Sequence, residues 1–210
     1  MRVLVFCDDR WHPASVVKSG LDPLVDDGFE FTYIENMADW TPDMIKGFPV
    51  VILAKSNNFS STDTTEWATE EAQSVFESYV QNGGGLLAIH SGTAGYMEAN
   101  IIRGILGGVF THHPEQCPVT VEAVDGHVIT HGFEPFTLKD EHYFIEIDNN
   151  VDLCVFLAST SQHGRQPAGW VRIHGKGKVC VLTPGHNLDV WLHPSFQLLL
   201  RNSLNWLVKD

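Results

Sequence analysis

The chain has 210 residues, of which 43% are hydrophobic and 19% are charged, and its formal net charge is −13. This composition is typical of a globular protein, and we expect a single domain over residues 1–210. Because nucleic acids and anionic membranes are themselves negative, the charge argues against both as partners.

In the first half of the chain, apolar strand-like runs alternate with helical patterns. The predicted strands cover residues 3–7, 29–34, 50–54 and 85–90, and the predicted helices cover residues 15–26 and 64–81. The strands are apolar along nearly their whole length, which is typical of a parallel sheet with helices on both faces. Ligands bind such sheets at the carboxyl ends of the strands, so the segments that follow the strands are expected to carry the function.

The second half contains more strands and fewer helices. The predicted strands cover residues 118–123, 144–147, 153–158, 168–173 and 179–183, and an amphipathic helix covers residues 194–208. Strands that follow one another without helices indicate an antiparallel extension of the sheet. The predicted fold class is therefore α/β, a flavodoxin-like three-layer sandwich with a mostly parallel central sheet and an antiparallel extension in the second half.

The cysteines and the apolar runs indicate the cell compartment. The cysteines (Cys7, Cys117, Cys154 and Cys180) are far apart and form no CxxC pair, which favours buried thiols over disulfides or a redox site. The amino terminus lacks the pattern of a signal peptide, and no apolar run approaches the roughly 20 residues that cross a bilayer. We therefore expect a cytoplasmic protein with no membrane partner.

Two segments that directly follow predicted strands carry candidate site residues. After the first strand, Trp11 offers a flat face to a sugar ring and His12 can hydrogen-bond hydroxyl groups, although a loop anchored by the Trp would look the same. After the strand at 85–90, small residues surround His90 and Ser91 in the pattern of a nucleophile elbow. A glycine-rich turn with a hydrogen-bonded structural His is the alternative.

Further candidates lie in three later segments. His113 follows a glycine-rich stretch, and Glu141 and Tyr143 lie in an acidic corner that is either a site or only solvated. His186 follows the last strand, and His193 stands at the start of the last helix, where an imidazole caps the helix or binds a ligand. Arg172, on one face of a strand, pairs with a carboxylate or binds a substrate oxygen.

Together these segments resemble the trehalose-utilisation (ThuA-like) family, within the class I glutamine amidotransferase-like fold. The motifs that carry the resemblance are Gly-Gly-Gly-Leu-Leu-Ala-Ile-His-Ser-Gly (83–92), Gly-Gly-Val-Phe-Thr-His-His-Pro (107–114), Asp-Glu-His-Tyr (140–143), Pro-Ala-Gly-Trp (167–170), Gly-Lys-Gly-Lys-Val (175–179) and Gly-His-Asn-Leu-Asp-Val-Trp-Leu-His-Pro-Ser-Phe (185–196). The amidotransferases carry a catalytic Cys on the elbow, where this chain has His90. Since a neutral imidazole does not replace a thiolate, we do not expect glutaminase activity.

The resemblance implies a role in sugar catabolism and a small carbohydrate or keto-sugar substrate. In the first hypothesis, the chain is a hydrolase, lyase or isomerase in which His90, Glu141 and His186 are the catalytic acid and base groups. The aromatic rings that would stack on the sugar are those of Trp11, Tyr143 and Trp191.

Two other hypotheses stay open. In the second, a divalent metal ion held by His113, Glu141 and His186 polarises a carbonyl group of the substrate. In the third, the chain is a non-catalytic module that binds a sugar or regulates a partner. The sequence is compatible with a homo-oligomer and does not select one.

Overall fold

The structure is a computed structural model that describes residues 1–124 and 126–209. Its strands are β1 (Arg2–Phe6), β2 (Glu30–Ile34), β3 (Val50–Leu53), β4 (Gly85–Ile89), β5 (Gly108–His112), β6 (Cys117–Ala123), β7 (Phe136–Asp140), β8 (Phe144–Ile147), β9 (Cys154–Ser161), β10 (Gly164–His174) and β11 (Gly177–Leu182). Its α-helices are α1 (Ala14–Leu21), α2 (Glu70–Gln81), α3 (Asn100–Leu106), α4 (Leu188–Trp191) and α5 (Pro194–Val208). Within these described residues, no helix has both the length and the apolarity needed to cross a membrane.

The described strands form one large sheet and one small sheet. The nine-stranded sheet has the order β2-β1-β3-β4-β11-β10-β9-β6-β7. Strands β2, β1, β3, β4 and β11 pair in parallel, and β10, β9, β6 and β7 continue the sheet in antiparallel fashion. The predicted class and the antiparallel extension are confirmed. One assignment was wrong, since residues 144–147 pair with β5 in the separate two-stranded sheet.

Helices cover both faces of the large sheet because its strands alternate between two apolar cores. In β1, Val3 and Val5 pack into the core that also contains α1 and α5 residues, whereas Leu4 and Phe6 pack into the core of α2 and α3. Successive strand residues point to opposite faces, so a continuous apolar run serves both cores. Because β1, β3, β4 and β11 run parallel to one another, their carboxyl ends lie at one edge of the sheet.

Helix α2 begins later than the predicted helix at 64–81. Its cap is Thr69, whose hydroxyl accepts a hydrogen bond of 3.2 Å from the backbone N–H of Ala72. The residues before the cap are held outside the helix by Asn57, whose side-chain oxygen accepts from the backbone N–H of Trp67 at 3.1 Å. Helix propensity alone does not reveal this long-range bond, which explains the error.

The antiparallel half of the sheet curls back over the parallel half. Strand β7 lies four strand positions from β11, which in a flat sheet would separate them by about 19 Å. Yet Asp140, at the end of β7, accepts a hydrogen bond of 2.9 Å from the backbone N–H of Gly185, just after β11. Strand β10 contains register shifts around Gly169, and such bulges bend and twist a strand.

The thiols in the described residues fit the predicted interpretation. Cys7, Cys117 and Cys180 are free and buried, whereas Cys154 is only partly buried. Burial raises the pKa of Cys7 and of Cys180 to about 12, so neither is a thiolate at neutral pH.

Candidate functional site

His90 lies directly after β4, at the edge where the parallel strands end. Its φ of 47° lies in the left-handed region, and it begins the short 3-10 turn His90–Thr93. Two residues later, Gly92 permits close packing, since a Cβ there would lie 1.9 Å from the carbonyl oxygen of Leu53. The backbone thus has the predicted elbow shape. A residue on such an elbow ordinarily has an exposed side chain, whereas that of His90 is only 2% exposed.

The imidazole of His90 is oriented by the loop after β11. Its Nδ1 lies 2.8 Å from the carbonyl oxygen of Thr183. A carbonyl oxygen only accepts, so the Nδ1–H donates and Nε2 carries the lone pair when the ring is neutral. Burial lowers the pKa of His90, which favours that neutral form.

The loop after β1 presents His12 in the same manner. Asp9 accepts hydrogen bonds from the backbone N–H groups of Trp11, His12 and Ser56, and the last of these ties the loop to the segment after β3. The Nδ1–H of His12 also donates to Asp9 Oδ1 at 2.8 Å, which turns Nε2 away from Asp9. Burial tends to raise the pKa of Asp9, but the hydrogen bonds, first that of His12, hold it well below its usual range.

Asp140 brings Glu141 and His186 together. Its buried carboxylate accepts from the backbone N–H groups of Gly185 at 2.9 Å and His186 at 3.0 Å. These bonds fasten the loop after β11 to the end of β7, where Glu141 follows. As a result, Glu141 Oε2 lies 3.1 Å from His186 Nδ1.

Four side chains therefore converge, and we call His12, His90, Glu141 and His186 the His/Glu quartet. Their facing atoms all lie within 4.8 Å of one another. Glu141 Oε2 is 3.3 Å from His90 Nε2 and 4.0 Å from His12 Nε2. None of the three facing nitrogens, all of them buried, has a hydrogen-bond partner. An unpaired buried polar atom costs about 1–3 kcal/mol, so a bound ligand would stabilise this arrangement.

The charges of the quartet favour a positive ligand. Burial raises the pKa of Glu141, but the imidazoles of His12, His186 and His90 outweigh burial and hold that pKa well below its usual range. Burial likewise lowers the pKa of His12, but Asp9 and Glu141 outweigh it and raise the pKa to about 9. With that pKa, His12 is protonated at neutral pH unless a cation occupies the site, so the ionised carboxylate of Glu141 attracts either this proton or a metal cation.

His113 lies at the open side of the quartet. Its Nε2 is 3.6 Å from Glu141 Oε1, the carboxylate oxygen that faces away from the other imidazoles, and its side chain is 35% exposed. Its Nδ1–H donates to the carbonyl oxygen of Pro114 at 2.8 Å. Of the predicted metal ligands, Glu141 and His186 are joined by His12 and His90, whereas His113 lies outside the group of facing atoms.

Of the predicted aromatic contacts, Tyr143 is buried against the site and Trp11 is exposed next to it. Tyr143 is buried, and its ring centroid lies 4.0 Å from that of His90 and 4.1 Å from that of Phe110. Its ring is therefore packed against the site and is not free to stack on a sugar, which corrects the expectation. Trp11 is 68% exposed beside His12 and can receive a ring. Ser91 is buried next to His90.

Three predicted substrate contacts have structural roles instead. Trp191 lies in the core, and its indole N–H donates to the carbonyl oxygen of Gly185 at 2.6 Å, so it supports the loop from below. Arg172 donates to backbone carbonyl oxygens at the end of α3 and stays away from the quartet. His193 caps α5 by accepting from the backbone N–H of Ser195 at 3.2 Å.

The groups that orient the ligands, Asp9, Asp140 and the carbonyl oxygen of Thr183, were not predicted as site residues. Asp9 belongs to the acidic pair Asp8-Asp9 three residues before His12, and Asp140 directly precedes Glu141, so an acidic residue near a candidate residue was the available signal. The carbonyl oxygen of Thr183 has no side-chain signal at all, because any residue supplies a backbone oxygen.

Residues 2–207 match the trehalose-utilisation (ThuA) family over almost the whole chain. The chain belongs to the ThuA family. This confirms the predicted resemblance and gives the chain a sugar-metabolism context. Within the amidotransferase-like fold of this family member, His90 stands at the elbow. No curated protein matches the sequence.

Solved structures share the fold over the full chain. A ThuA-like protein from Bacteroides uniformis ATCC 8492 is 21% identical, with a TM-score of 0.76 over 100% of this chain and 92% of that chain. A ThuA-like protein from Parabacteroides merdae ATCC 43184 is 16% identical, with a TM-score of 0.79 over 100% and 90%. A Salmonella typhimurium protein described as cytoplasmic is 16% identical, with a TM-score of 0.72 over 100% of both chains. At these identities the likeness concerns the fold alone.

Proposed function

We propose that the chain is an enzyme of sugar catabolism that acts at the carbonyl group of a keto-sugar or keto-glycoside. Membership of the ThuA family supports the sugar context. The observation that carries the proposal is the His/Glu quartet, in which three buried nitrogens without hydrogen-bond partners face one carboxylate. Unsatisfied polar groups held at the carboxyl ends of strands are typical of sites that bind a ligand.

Chemistry at a carbonyl group suits this site because the quartet can hold a cation and His113 lies beside it. A keto group acidifies the neighbouring C–H because the resulting enolate places its charge on the carbonyl oxygen. Turnover therefore needs a positive group at the oxygen and a base at the carbon. A divalent metal ion held by the quartet would supply the first by polarising the carbonyl oxygen.

His113 is the group we assign to proton transfer. Its Nδ1–H is engaged by the Pro114 carbonyl oxygen, so the neutral ring has its Nε2 lone pair free at the open side. Imidazole is the side chain best suited to proton transfer near neutral pH. Exposed Trp11 offers a stacking face for the sugar ring. The enolate can then lead to elimination, hydrolysis or isomerisation, and the proposal includes all three classes.

The proposal leaves no place for glutaminase activity. A glutamyl thioester needs a thiolate at the elbow, and the residue there is His90, whose pKa is lowered by burial. The buried thiols of Cys7 and Cys180 do not replace it, since burial raises the pKa of each to about 12.

The test is turnover of a panel of 3-keto-disaccharides and 3-keto-monosaccharides, with exchange of the C–H next to the carbonyl for deuterium as a second readout. Wild-type protein should consume at least one substrate and exchange its proton. His113→Gln should lose about 100-fold or more in kcat, as expected for loss of a general base. His163→Gln, on an exposed part of the chain, is the matched control and should leave kcat unchanged.

Two outcomes would overturn the proposal. The first is the absence of both turnover and deuterium exchange across the panel, and calorimetric sugar binding in that case would indicate the non-catalytic module. The second is full activity in His113→Gln together with His90→Gln, which would remove the site from the reaction.

We further propose that the protein works in the cytoplasm on a small soluble carbohydrate. The Salmonella typhimurium protein of the same fold, described as cytoplasmic, supports this location. Fractionation of cells that express the untagged protein tests it directly.

A further inference from the structure

We infer that the His/Glu quartet is a mononuclear metal centre for a divalent first-row transition ion of the Zn²⁺ class. The ligand atoms are His12 Nε2, His90 Nε2, His186 Nδ1 and one oxygen of Glu141. The inference deepens the proposed function and rests on the same site, but it concerns the bound ion and is tested without any substrate.

The lone pairs of His12 and His90 point into the quartet. Asp9 takes the Nδ1–H of His12, and the Thr183 carbonyl oxygen takes the Nδ1–H of His90. Both rings therefore present an unprotonated Nε2 to the quartet when they are neutral. A carboxylate or backbone carbonyl behind each imidazole is the usual arrangement behind metal-binding histidines.

The nitrogens of the quartet face one another around Glu141 and make no hydrogen bond to one another or to the carboxylate. The facing nitrogens of His12, His90 and His186 are buried and make no hydrogen bond, although two of them lie 3.1 and 3.3 Å from Glu141 Oε2. A hydrogen-bonded cluster would satisfy these atoms. A cation at the common point satisfies all of them at once.

The separations between the ligand atoms also suit a bound metal ion. Metal–ligand bonds of about 2.1 Å place the ligands of a tetrahedral ion about 3.4 Å apart. The measured separations of 3.1, 3.3 and 4.0 Å bracket that value. The widest pair in the quartet, within 4.8 Å, closes on the ion by a shift of up to about 0.7 Å at each side chain.

The donor set selects the class of ion. Imidazole nitrogen suits Zn²⁺, Fe²⁺, Co²⁺, Ni²⁺ and Cu²⁺, whereas Mg²⁺ and Ca²⁺ require oxygen ligands. The quartet offers three nitrogens and one carboxylate oxygen, so hard cations are disfavoured. Its most accessible member is His186 at 20% exposure, followed by His12 and Glu141 at 11% each, and this leaves the ion a solvent-facing side for a substrate oxygen.

The experiment measures metal directly on the full chain, purified without a polyhistidine tag. Elemental analysis should find about one transition-metal ion per chain, and dialysis against a chelator should remove it. Co²⁺ added to the stripped protein should bind with the visible absorption of a four- or five-coordinate site. Millimolar Mg²⁺ or Ca²⁺ should not displace it.

Matched variants separate this centre from adventitious binding by histidines. His186→Gln and Glu141→Gln should weaken Co²⁺ binding by more than about 100-fold, beyond the usual effect of losing an outer contact. The exposed-residue control His163→Gln should bind as the wild type does. Circular dichroism and thermal melting establish that each variant folds, and the Co²⁺ spectrum of the wild type needs no variant.

The outcomes are distinguishable from those of the proposed function. A wild-type protein that holds no ion and takes up no Co²⁺, or that binds it equally in folded His186→Gln and Glu141→Gln, overturns the metal centre. A metal-free preparation with full sugar turnover also overturns it while leaving the enzyme proposal intact. A bound ion without turnover of any keto-sugar supports the centre and counts only against the proposed substrate.

Discussion

The carboxylate of Asp9 both shapes the loop after β1 and orients the imidazole of His12. Its oxygens accept backbone N–H groups from its own loop and from Ser56, and they also receive the Nδ1–H of His12. The same contacts that shape the loop therefore decide which His12 nitrogen faces the quartet. Lys55, buried nearby, donates to the carbonyl oxygens of Asp8 and Glu35 and holds the neighbouring backbone.

At this scale we predict that Asp9→Asn weakens metal binding by about 10–100-fold, the usual effect of losing a contact behind a metal ligand. An amide offers one acceptor and one donor group, so either the His12 Nδ1–H or the Ser56 N–H loses its acceptor. Titration of stripped protein with Co²⁺ measures the affinity. Asp8→Asn is the control, since the Asp8 contact to the Ala14 N–H needs only one oxygen. Equal affinity in both variants contradicts the prediction.

Among the elements, the turn after β4 depends on how closely two strand ends approach. Gly92 follows the elbow residue His90 and packs against the carbonyl oxygen of Leu53, at the end of β3. The lack of a side chain is thus required by a neighbouring strand. This differs from Gly104, within α3, where a Cβ would meet no other atom within 4 Å.

We predict opposite effects for alanine at these two glycines. Gly92→Ala should lower the free energy of unfolding by about 1–3 kcal/mol or more, because the added Cβ overlaps backbone that must move. Gly104→Ala should raise it by about 0.4–1 kcal/mol, because alanine restricts the unfolded chain in a helical position that has room. Urea unfolding of both variants measures the difference. A neutral Gly92→Ala would show that the turn has space the structure does not contain.

On the scale of the whole molecule, the site exists because the antiparallel half of the sheet curls onto the parallel half. Asp140 closes this arrangement through the backbone N–H groups of Gly185 and His186. The quartet then draws its members from the loops after β1, β4, β7 and β11. Assembly of the site is therefore inseparable from completion of the sheet.

Removal of the Asp140 contact should accordingly affect both stability and metal binding. Asp140→Ala leaves two N–H groups without an acceptor, at about 1–3 kcal/mol each if they stay buried. For a chain of this size, each kcal/mol lowers Tm by about 2–4 °C. Thr137→Ala, on the same strand, loses only an exposed hydroxyl contact and is the matched control. Equal melting temperatures and equal Co²⁺ affinities of the two variants would contradict this account.

Sequence patterns predicted elements well where one physical rule dominates. The apolar runs of the parallel strands identify themselves because both of their faces are buried. Strands β5 and β7 were not recognised as strands. In β7, for example, Thr137 and Lys139 are exposed while Phe136 and Asp140 are buried, and a five-residue alternation of this kind is too short to distinguish from a loop. The predicted single domain stays a prediction.

In the candidate site, the sequence identified residues whose position depends on local patterns, but not those whose role depends on distant contacts. His90, Glu141 and His186 could be selected because each directly follows a strand or lies in a polar motif. The sequence could not show that His12 lies in the site while Arg172, Trp191 and His193 have structural roles. That difference depends on which neighbour each side chain meets. Position in the chain does not encode those neighbours.

The sequence by itself determined the family, the α/β class and the strand ends at which function should lie, because hydrophobic periodicity and short motifs are local properties. Only the tertiary structure decided that His12 and His90 complete the group around Glu141 and that His113 lies beside it. The physical reason is the curl of the sheet, which brings Asp140 within 2.9 Å of Gly185 across strands that a flat sheet would keep apart. Convergence of this kind depends on contacts between residues that are distant in the chain.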